Sequence, residues 1–427
     1  FTMVQGEYTA MLDHDDLLTE NALFEVVWCL QEQPELDFLY SDQDMIDEDS
    51  TRRFNPLYKP RWSRDMMCSG NYITHFSVLR TSLIREIGGW DPGTDGAQDW
   101  DLFLKAAEHT DRIHGIPRIL YHWRMASTST ASSMETKSYA LDAQLRAVKA
   151  HLDRIGEKQA DVVFYNRDIF KMQIRWNRIH DRDISVILVK EHEDSDLNLL
   201  TAMIRMALDL KEKEIILVTP KQRFICCEGT VKMVCHAFRS RAEAYAEGAK
   251  EATGKILLFL TDGVHPLQKD TLKELADWAM YDRVAVAAPI FTGEDRIIRE
   301  MGIALTKDGP LPMFAGEFVD GTSSVGKNYW YRNVQAADDS CFAIQRERYL
   351  EAGGFLEEEG ELSMLNLCQR LRQKGYRHVV SPYAKMTLHQ NASAQTLCQR
   401  IRNSSVKEYM EYMESRGLPG EDVYYRK

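Results

Sequence analysis

The chain has 427 residues, of which 44% are hydrophobic, and a formal net charge of −12. This length is too great for one hydrophobic core, so the sequence predicts two domains. The acidic balance argues against a nucleic-acid partner, because no basic stripe offsets it. No run of about 18 apolar residues is present, so no membrane-spanning helix is expected. The eight cysteines form no CxxC pair, which favours reduced thiols in a cytoplasmic protein.

The first predicted strand, over residues 8–12, ends in an acidic cluster made of Asp13, His14, Asp15 and Asp16. Several carboxylates at one strand end repel each other unless a cation joins them, and their oxygens suit Mg²⁺ or Mn²⁺. Ligands also bind at the carboxyl ends of strands in open α/β sheets. The cluster therefore indicates a divalent-metal site. The alternative is an acidic turn in which Asp16 caps a helix that starts near residue 17.

The remaining elements alternate between helices and strands in both halves of the chain. In the first half we predict helices at 17–33, 81–87, 99–109 and 139–155, and strands at 36–41, 71–80 and 113–123. Residues 159–182 are expected to link the halves. A new pattern then begins with a strand at 184–189, a helix at 194–210 and a strand at 214–218. This order predicts a right-handed parallel unit.

An internal repeat relates the two halves and predicts the same fold twice. Gly254 and the strand after it match Gly6 and the first strand, and the pairs Gly88-Gly89 and Gly353-Gly354 match each other. A long segment precedes Gly254 but only a short one precedes Gly6, so we expect N-terminal strands to be missing from the first half.

The same alignment shows that the second half has lost most of the acidic residues. It places Thr261-Asp262-Gly263-Val264 against residues 13–16, and Met364-Leu365-Asn366 against Asp99-Trp100-Asp101. Loss at both positions, with the scaffold kept, predicts a degenerate, non-catalytic second half. The alternative is that neither set of residues matters and that the differences are drift. Asp262 and His389 remain, which leaves weak metal binding open there.

Several stretches of the first half together resemble the bacterial family 2 glycosyltransferases of the GT-A fold, and particularly two-domain, rhamnosyltransferase-like or O-antigen-type members that assemble cell-surface polysaccharides. These stretches are residues 6–16, 40–44, 71–75, 88–90, 98–102 and 121–124. The resemblance implies two tandem GT-A (Rossmann-like) α/β domains, the first without its N-terminal strands. The implied organisation is a partial catalytic domain at 1–158, a degenerate domain at 183–395 and a helical tail at 396–427.

The resemblance also implies a reaction and its residues. A nucleotide-diphosphate sugar would give its sugar, with inversion, to a growing glycan, while Mn²⁺ or Mg²⁺ stabilises the leaving diphosphate. The implied roles are Asp99 as catalytic base, Asp15 and His122 as metal ligands, Asp13 and Arg124 at the donor nucleotide, and Trp90, Asp101, Asn71 and His75 at the acceptor. Gln98 stands where the family usually has a further acid.

Other readings of these residues stay open. His122 fits an ordinary strand-end histidine, Trp90 fits core packing, and Asn71 and His75 fit buried polar positions of a strand. The chain as a whole also fits a non-catalytic glycan-binding or scaffold protein, or a nucleotidyltransferase. The expected partners are a nucleotide-diphosphate sugar and a glycan or lipid-linked glycan, with peripheral association at the inner face of the cell membrane left open.

Overall fold

The computed structural model describes residues 1, 3–125, 134–178, 183–192, 195–208, 214–220, 231–323, 325–388, 395–404, 406–415 and 424. His389 and nearly all of the tail beyond residue 415 lie outside these ranges. The chain divides into two compact units. The first contains Phe1–Asn177 and Thr322–Trp330, and the second contains Arg178–Gly321 and Tyr331–Lys427. Both units combine a β-sheet with helices, which confirms the predicted α/β class.

The elements up to residue 177 all belong to the first unit. In chain order they are β1 (Tyr8–Met11), β2 (Leu17–Leu18), α1 (Ala22–Glu32), β3 (Phe38–Ile46), β4 (Arg53–Leu57), β5 (Ser77–Arg80), α2 (Thr81–Glu86), α3 (Gln98–His109), β6 (Ile113–Arg124), α4 (Met134–Arg154), β7 (Asp161–Asn166) and β8 (Lys171–Arg175). The sheet order is β1-β5-β3-β6-β2, with β4 paired to the end of β3. Eight of the nine residues of β3 are buried, as a central strand requires.

Three stretches of the first unit differ from the sequence prediction. The helix expected from residue 17 begins at Ala22, because Leu17 and Leu18 pair with β6 as a short strand. Asn21, and not Asp16, therefore holds the N-cap position. Only the last part of the strand expected at 71–80 is a strand, and residues 71–76 form a loop. The expected linking segment contains the antiparallel hairpin of β7 and β8.

The later part of the chain contributes the second unit and one short hairpin of the first. Its elements are β9 (Ile184–Val189), α5 (Leu197–Leu208), β10 (Glu214–Thr219), β11 (Val231–Cys235), α6 (Arg241–Lys250), β12 (Ile256–Thr261), β13 (Val264–Pro266), α7 (Thr271–Met280), β14 (Val284–Thr292), β15 (Ile298–Glu300), β16 (Ile303–Thr306), β17 (Gly309–Pro312), β18 (Thr322–Ser323), β19 (Gly326–Lys327), β20 (Arg332–Val334), β21 (Cys341–Gln345), α8 (Arg346–Glu351), α9 (Ser363–Gln373), β22 (Arg377–Leu388), α10 (Leu397–Ser404) and α11 (Val406–Ser415). Strands β9 and β10, joined through α5, are parallel as predicted.

The internal repeat is confirmed by the strand order of the two sheets. In the second unit β12-β21-β14-β22-β13 follow the same sequence of neighbours as β1-β5-β3-β6-β2. The pair directions also agree, since β14–β22 and β3–β6 are parallel and the other equivalent pairs are antiparallel. The glycine pairs have nearly identical φ angles, 80° and 65° at Gly88-Gly89 and 81° and 65° at Gly353-Gly354. These are left-handed conformations that favour glycine.

Two further expectations concern membranes and thiols. Among the residues described, none of the helices has both the length and the hydropathy needed to cross a bilayer. The six cysteines within the described ranges are free thiols.

Candidate functional site

Asp99 lies in the first turn of α3, near one wall of a cavity in the first unit. The side-chain amide of Asn71 donates a hydrogen bond of 2.8 Å to its Oδ2. Burial raises the pKa of Asp99, and the hydrogen bonds to its carboxylate offset only part of that effect. A carboxyl with a raised pKa at the edge of a cavity is suited to accept a proton from a bound hydroxyl.

The loop at 71–76 is held from below by a buried lysine. The ammonium of Lys59 donates to the carbonyl oxygens of Ile73 and His75. Burial removes the water that would stabilise the charged form, and this sets the pKa of Lys59 well below its usual value. Thr74 adds a 2.6 Å hydrogen bond to the side chain of Gln43 on β3. The loop is thereby fixed with Asn71 at one end and the His75 ring at the other.

The structure brings Asp13, Asp16 and His75 together at the end of β1. Ligand atoms of these three side chains all lie within 4.8 Å of one another. The His75 ring stacks on Tyr121 at 4.7 Å, and Tyr121 donates a 2.5 Å hydrogen bond to Asp16 Oδ2. The backbone amide of Arg124 donates to the other oxygen, Oδ1, at 2.8 Å. Burial lowers the pKa of His75, which favours the neutral ring that a metal requires.

The other predicted metal and donor residues have different partners. The Nδ1 atom of His122 lies 2.5 Å from Asp44 Oδ1; the Asp44 side chain is buried and that of His122 is half-buried. The Asp15 carboxylate is partly exposed, and its carbonyl accepts from Arg124 Nε at 2.6 Å. Arg124 also donates to the carbonyl of Glu48 at 2.7 Å. Arg124 thus ties the acidic turn to the loop after β3, and the metal roles of Asp15 and His122 and the donor role of Arg124 stay predictions.

A cavity of about 430 Å³ opens beside Asp99 and Asn71. Its lining comes from the loop at 69–74, from α3 and the turn before it, from the end of β6, from α4, from the β7–β8 hairpin and from the Thr322–Trp330 segment. The lining residues are Ser69, Gly70, Asn71, Thr74, Gly96, Ala97, Asp99, Trp100, Trp123, Gln144, Phe170, Met172, Lys327 and Trp330. The volume and the aromatic lining are typical of a small-molecule site.

Trp90 and Asp101, which were predicted at the acceptor, are not among the lining residues. Trp90 contacts the ring of Phe1 edge to face, with centroids 5.5 Å apart. Asp101 is buried and forms ion pairs with Lys105 at 2.7 Å and Arg154 at 3.2 Å. These contacts give Asp101 a role in packing α3 against α4, and the acceptor role of both residues stays a prediction.

Sequence reasoning missed several cavity residues. Trp123, although it lies within a stretch that resembles the transferase family, was assigned no role. Lys327 and Trp330 come from the other half of the chain, and no local pattern marks them. A search for aromatic residues at strand ends could have found Trp123, but only the fold brings the Thr322–Trp330 segment to the cavity.

His75 is influenced both by the acidic residues at the end of β1 and by Asp99. Burial lowers the pKa of its ring and outweighs the nearby carboxylates of Asp13, Asp99 and Asp16, each of which raises it. Asn71 and Thr74 complete the connection, because Asn71 bonds both Asp99 and the Thr74 backbone amide. The first unit therefore places a carboxylate beside a cavity and a group of metal-type ligands next to it.

The equivalent place in the second unit is occupied by a hydrogen-bonded ionic network. Ligand atoms of Glu191, His192 and Asp262 lie as close together as those in the first unit. The Asp262 carboxylate, however, already accepts from the backbone amides of Glu191 and His192, each at 3.0 Å. Arg241 pairs with Glu191 at 2.7 Å and with Asp339 at 2.5 Å. The Arg241 guanidinium thus neutralises Glu191 and Asp339, while backbone amides hold the Asp262 carboxylate.

Sequence comparison finds similar proteins, two of which match nearly the whole chain. No protein-family model matches the chain. It is 29% identical over 97% of its length to the uncharacterized protein y4gI of Sinorhizobium fredii and covers 47% of that protein. It is 29% identical over 92% of its length to the O-antigen biosynthesis protein RfbC of Myxococcus xanthus and covers 32% of it. The chain thus spans less than half the length of these two relatives.

A shorter match and two solved structures complete the comparisons. The uncharacterized glycosyltransferase YwdF of Bacillus subtilis is 25% identical over 36% of the chain, which covers 55% of that protein. GalNAc-T7, solved with UDP, GalNAc and Mn²⁺, has 15% identity and a TM-score of 0.42 over 60% of this chain and 55% of its own. The mannosyltransferase PcManGT of Pyrobaculum calidifontis, solved with GDP-Man and Mn²⁺, has 15% identity and a TM-score of 0.37 over 66% of this chain and 76% of its own. Two of the three sequence relatives, RfbC and YwdF, are thus named for O-antigen biosynthesis or glycosyl transfer.

Proposed function

We propose that the first unit carries the active site of an inverting family 2 glycosyltransferase. It would move a sugar from a nucleotide-diphosphate sugar to a hydroxyl of a cell-surface glycan or lipid-linked glycan, in the cytoplasm or at the inner face of the membrane. The observation that carries the proposal is Asp99, a half-buried carboxyl with a raised pKa at a cavity, next to the Asp13, Asp16 and His75 group. The similarity to RfbC and YwdF supports the same class of reaction.

Asp99 supplies the chemistry that inversion needs. A single base must take the proton of the acceptor hydroxyl as that oxygen attacks the anomeric carbon from the side opposite the leaving diphosphate. Burial raises the pKa of Asp99, which makes it a stronger base than an ordinary aspartate once it is ionised. The Asn71 amide donates to Oδ2 and holds the carboxylate in place beside the cavity.

The group formed by Asp13, Asp16 and His75 offers the kinds of ligand atom that bind a divalent cation. Two carboxylates and an imidazole with a lowered pKa are a combination that suits Mn²⁺. We assign Asp13, Asp16 and His75 as the ligands that would hold it, and a bound cation there would neutralise charge on the departing diphosphate. Tyr121 and the Arg124 amide fix the Asp16 carboxylate, as partners of metal ligands commonly do.

We propose further that the second unit is non-catalytic and positions the glycan or a partner. Met364, the second residue of α9, stands where Asp99 is the second residue of α3. A thioether cannot act as a base. Arg241, paired with Glu191 and Asp339, leaves those acids without the open negative charge that a cation would need.

The test compares Asp99→Asn with Asp95→Asn, an exposed aspartate in the neighbouring turn. The protein is assayed with whatever sequence flanks this chain in its gene, on a panel of nucleotide-diphosphate sugars with Mn²⁺, and released nucleoside diphosphate is measured. Removing a general base typically lowers turnover by about 10²- to 10⁴-fold. Asp99→Asn should therefore lose turnover while donor binding is kept, and Asp95→Asn should match the wild type.

The same experiment separates the second candidate function, a non-catalytic glycan-binding protein. The aromatic lining of the cavity favours that candidate, because such pockets also bind sugars without reacting. Turnover that survives in Asp99→Asn would refute the assignment of the base. A wild-type protein that binds glycans but releases no nucleoside diphosphate with any donor would support the glycan-binding function instead.

A further inference from the structure

The wall of the cavity contains a segment from the other half of the chain. The Thr322–Trp330 segment, which includes the hairpin of β18 and β19, belongs to the first unit. The Tyr329 hydroxyl donates a 2.8 Å hydrogen bond to the carbonyl of Ile169 in the β7–β8 hairpin. Trp330 is nearly buried and packs so tightly on Gly70 that a Cβ there would lie 2.2 Å from its ring. The segment is thus a fitted part of the wall.

Lys327 is the one cationic side chain among the described residues that line this cavity, and Asp99 is the one carboxylate. The Lys327 ammonium lies 5.8 Å from the ring centre of Phe170, 5.3 Å from that of Tyr329 and 5.5 Å from that of Trp330. Aromatic faces attract an ammonium group, so the three rings hold Lys327 at the wall of the cavity. Burial lowers the pKa of Lys327, so an anion that entered the cavity would favour the charged form again.

The aromatic residues suit the ring of a sugar. Trp123 and Trp330 line the cavity that Asp99 also lines, and Trp100 and Phe170 add two more aromatic side chains to its wall. A sugar ring has apolar C–H faces and a polar edge, so it can pack on an aromatic side chain while its hydroxyls reach polar groups. A hydroxyl at Asp99 and a negative substituent at Lys327 would use the two charged residues of the lining together.

We propose that this cavity binds an acceptor sugar bearing a carboxylate or phosphate group, and that Lys327 recognises that negative charge. The role of this sugar as an acceptor rests on the proposed transferase function, whereas its binding to the cavity does not. The segment around Lys327 makes the later half of the chain a direct contributor to acceptor choice in the first unit.

The test measures binding of sugar probes to the full chain by saturation-transfer NMR, without donor or metal. Methyl β-glucuronide carries a carboxylate, glucose 6-phosphate carries a phosphate, and methyl β-glucoside is neutral. The wild type should bind at least one anionic probe about tenfold or more tightly than the neutral one, as a charge-assisted contact allows. The arm that binds identifies the anionic group.

Lys327→Met keeps the length of the side chain and should reduce anionic binding to the neutral level. Lys327→Arg should retain the preference, and Lys407→Met, at a 90% exposed lysine on α11, should not change it. Equal binding of charged and neutral probes, an unchanged preference in Lys327→Met, or no binding of any probe would each overturn the proposal. Because no donor is present, these outcomes are independent of whether Asp99→Asn loses turnover.

Discussion

The contact between Gly70 and Trp330 gives a sharp test of how the cavity wall is built. A methyl group at position 70 would lie 2.2 Å from Trp330 Cε2 and 2.5 Å from Nε1, where ordinary contacts begin at 3.4 Å. In Gly70→Ala the ring must therefore retreat by about 1.2 Å, the difference between the two distances. Overpacking of this kind typically costs about 1–3 kcal/mol. The φ angle of Gly70 adds no strain of its own, so the effect reports on the ring.

The measurement is hydrogen exchange of the Thr322–Trp330 segment, whose local opening should become about 5- to 150-fold more frequent for that cost. Gly93→Ala is the matched control, because its Cβ would meet only the flexible carboxylate of Asp91 at 3.2 Å. In a Trp330→Leu background the clash is gone, and Gly70→Ala should then change the opening energy by no more than about 0.5 kcal/mol. An equal effect in both backgrounds would refute the proposed contact.

Three further predictions concern ionisable residues of the first unit. Burial raises the pKa of Asp99, and a base must be ionised to accept a proton. On acidification, turnover should therefore fall at a higher pH than it would with an ordinary aspartate. A pH–rate profile whose acid limb matches that of an ordinary aspartate would contradict this. Asp13→Asn should weaken Mn²⁺ binding, measured by electron paramagnetic resonance, by about tenfold or more, while Asp15→Asn should not, and the reverse result would restore Asp15 as the ligand. Arg154→Met leaves the buried Asp101 paired with Lys105 alone. The free energy of unfolding of this unit, measured by urea titration, should fall by up to about 3 kcal/mol. An unchanged value would mean that Lys105 alone stabilises the Asp101 carboxylate.

The sequence was informative wherever short-range physics decides the structure. Periodicity placed α3 at 99–109, where the structure has Gln98–His109, and it placed β9 at its observed bounds. The start of α1 was wrong because the apolar pair Leu17-Leu18 fits a helix and a short strand equally well by pattern. Only the pairing partner on β6, about a hundred residues later in the chain, decides between them.

The kinds of chemical group in the candidate site could be predicted from the sequence, but which residues lie together there was harder to predict. The acidic cluster, Asp99 and Asn71 follow from motifs, and the structure places them around one loop. His75 was expected at the acceptor, but its ring groups with Asp13 and Asp16. It lies just before Ser77 of β5, which pairs with Met11 of β1. Lys327 could not be predicted from the sequence as a cavity residue, since its position depends on a hairpin that only tertiary structure brings to the cavity.

The matching glycine pairs carry a consequence for how such a chain changes over time. Gly88-Gly89 and Gly353-Gly354 keep the same backbone angles in two units whose acids have diverged. The turn depends on having no side chain, while the reactivity depends on which side chains surround the cavity. Architecture and reactivity are thus encoded at separate positions, so one copy of a duplicated module can lose acidic residues without losing its shape.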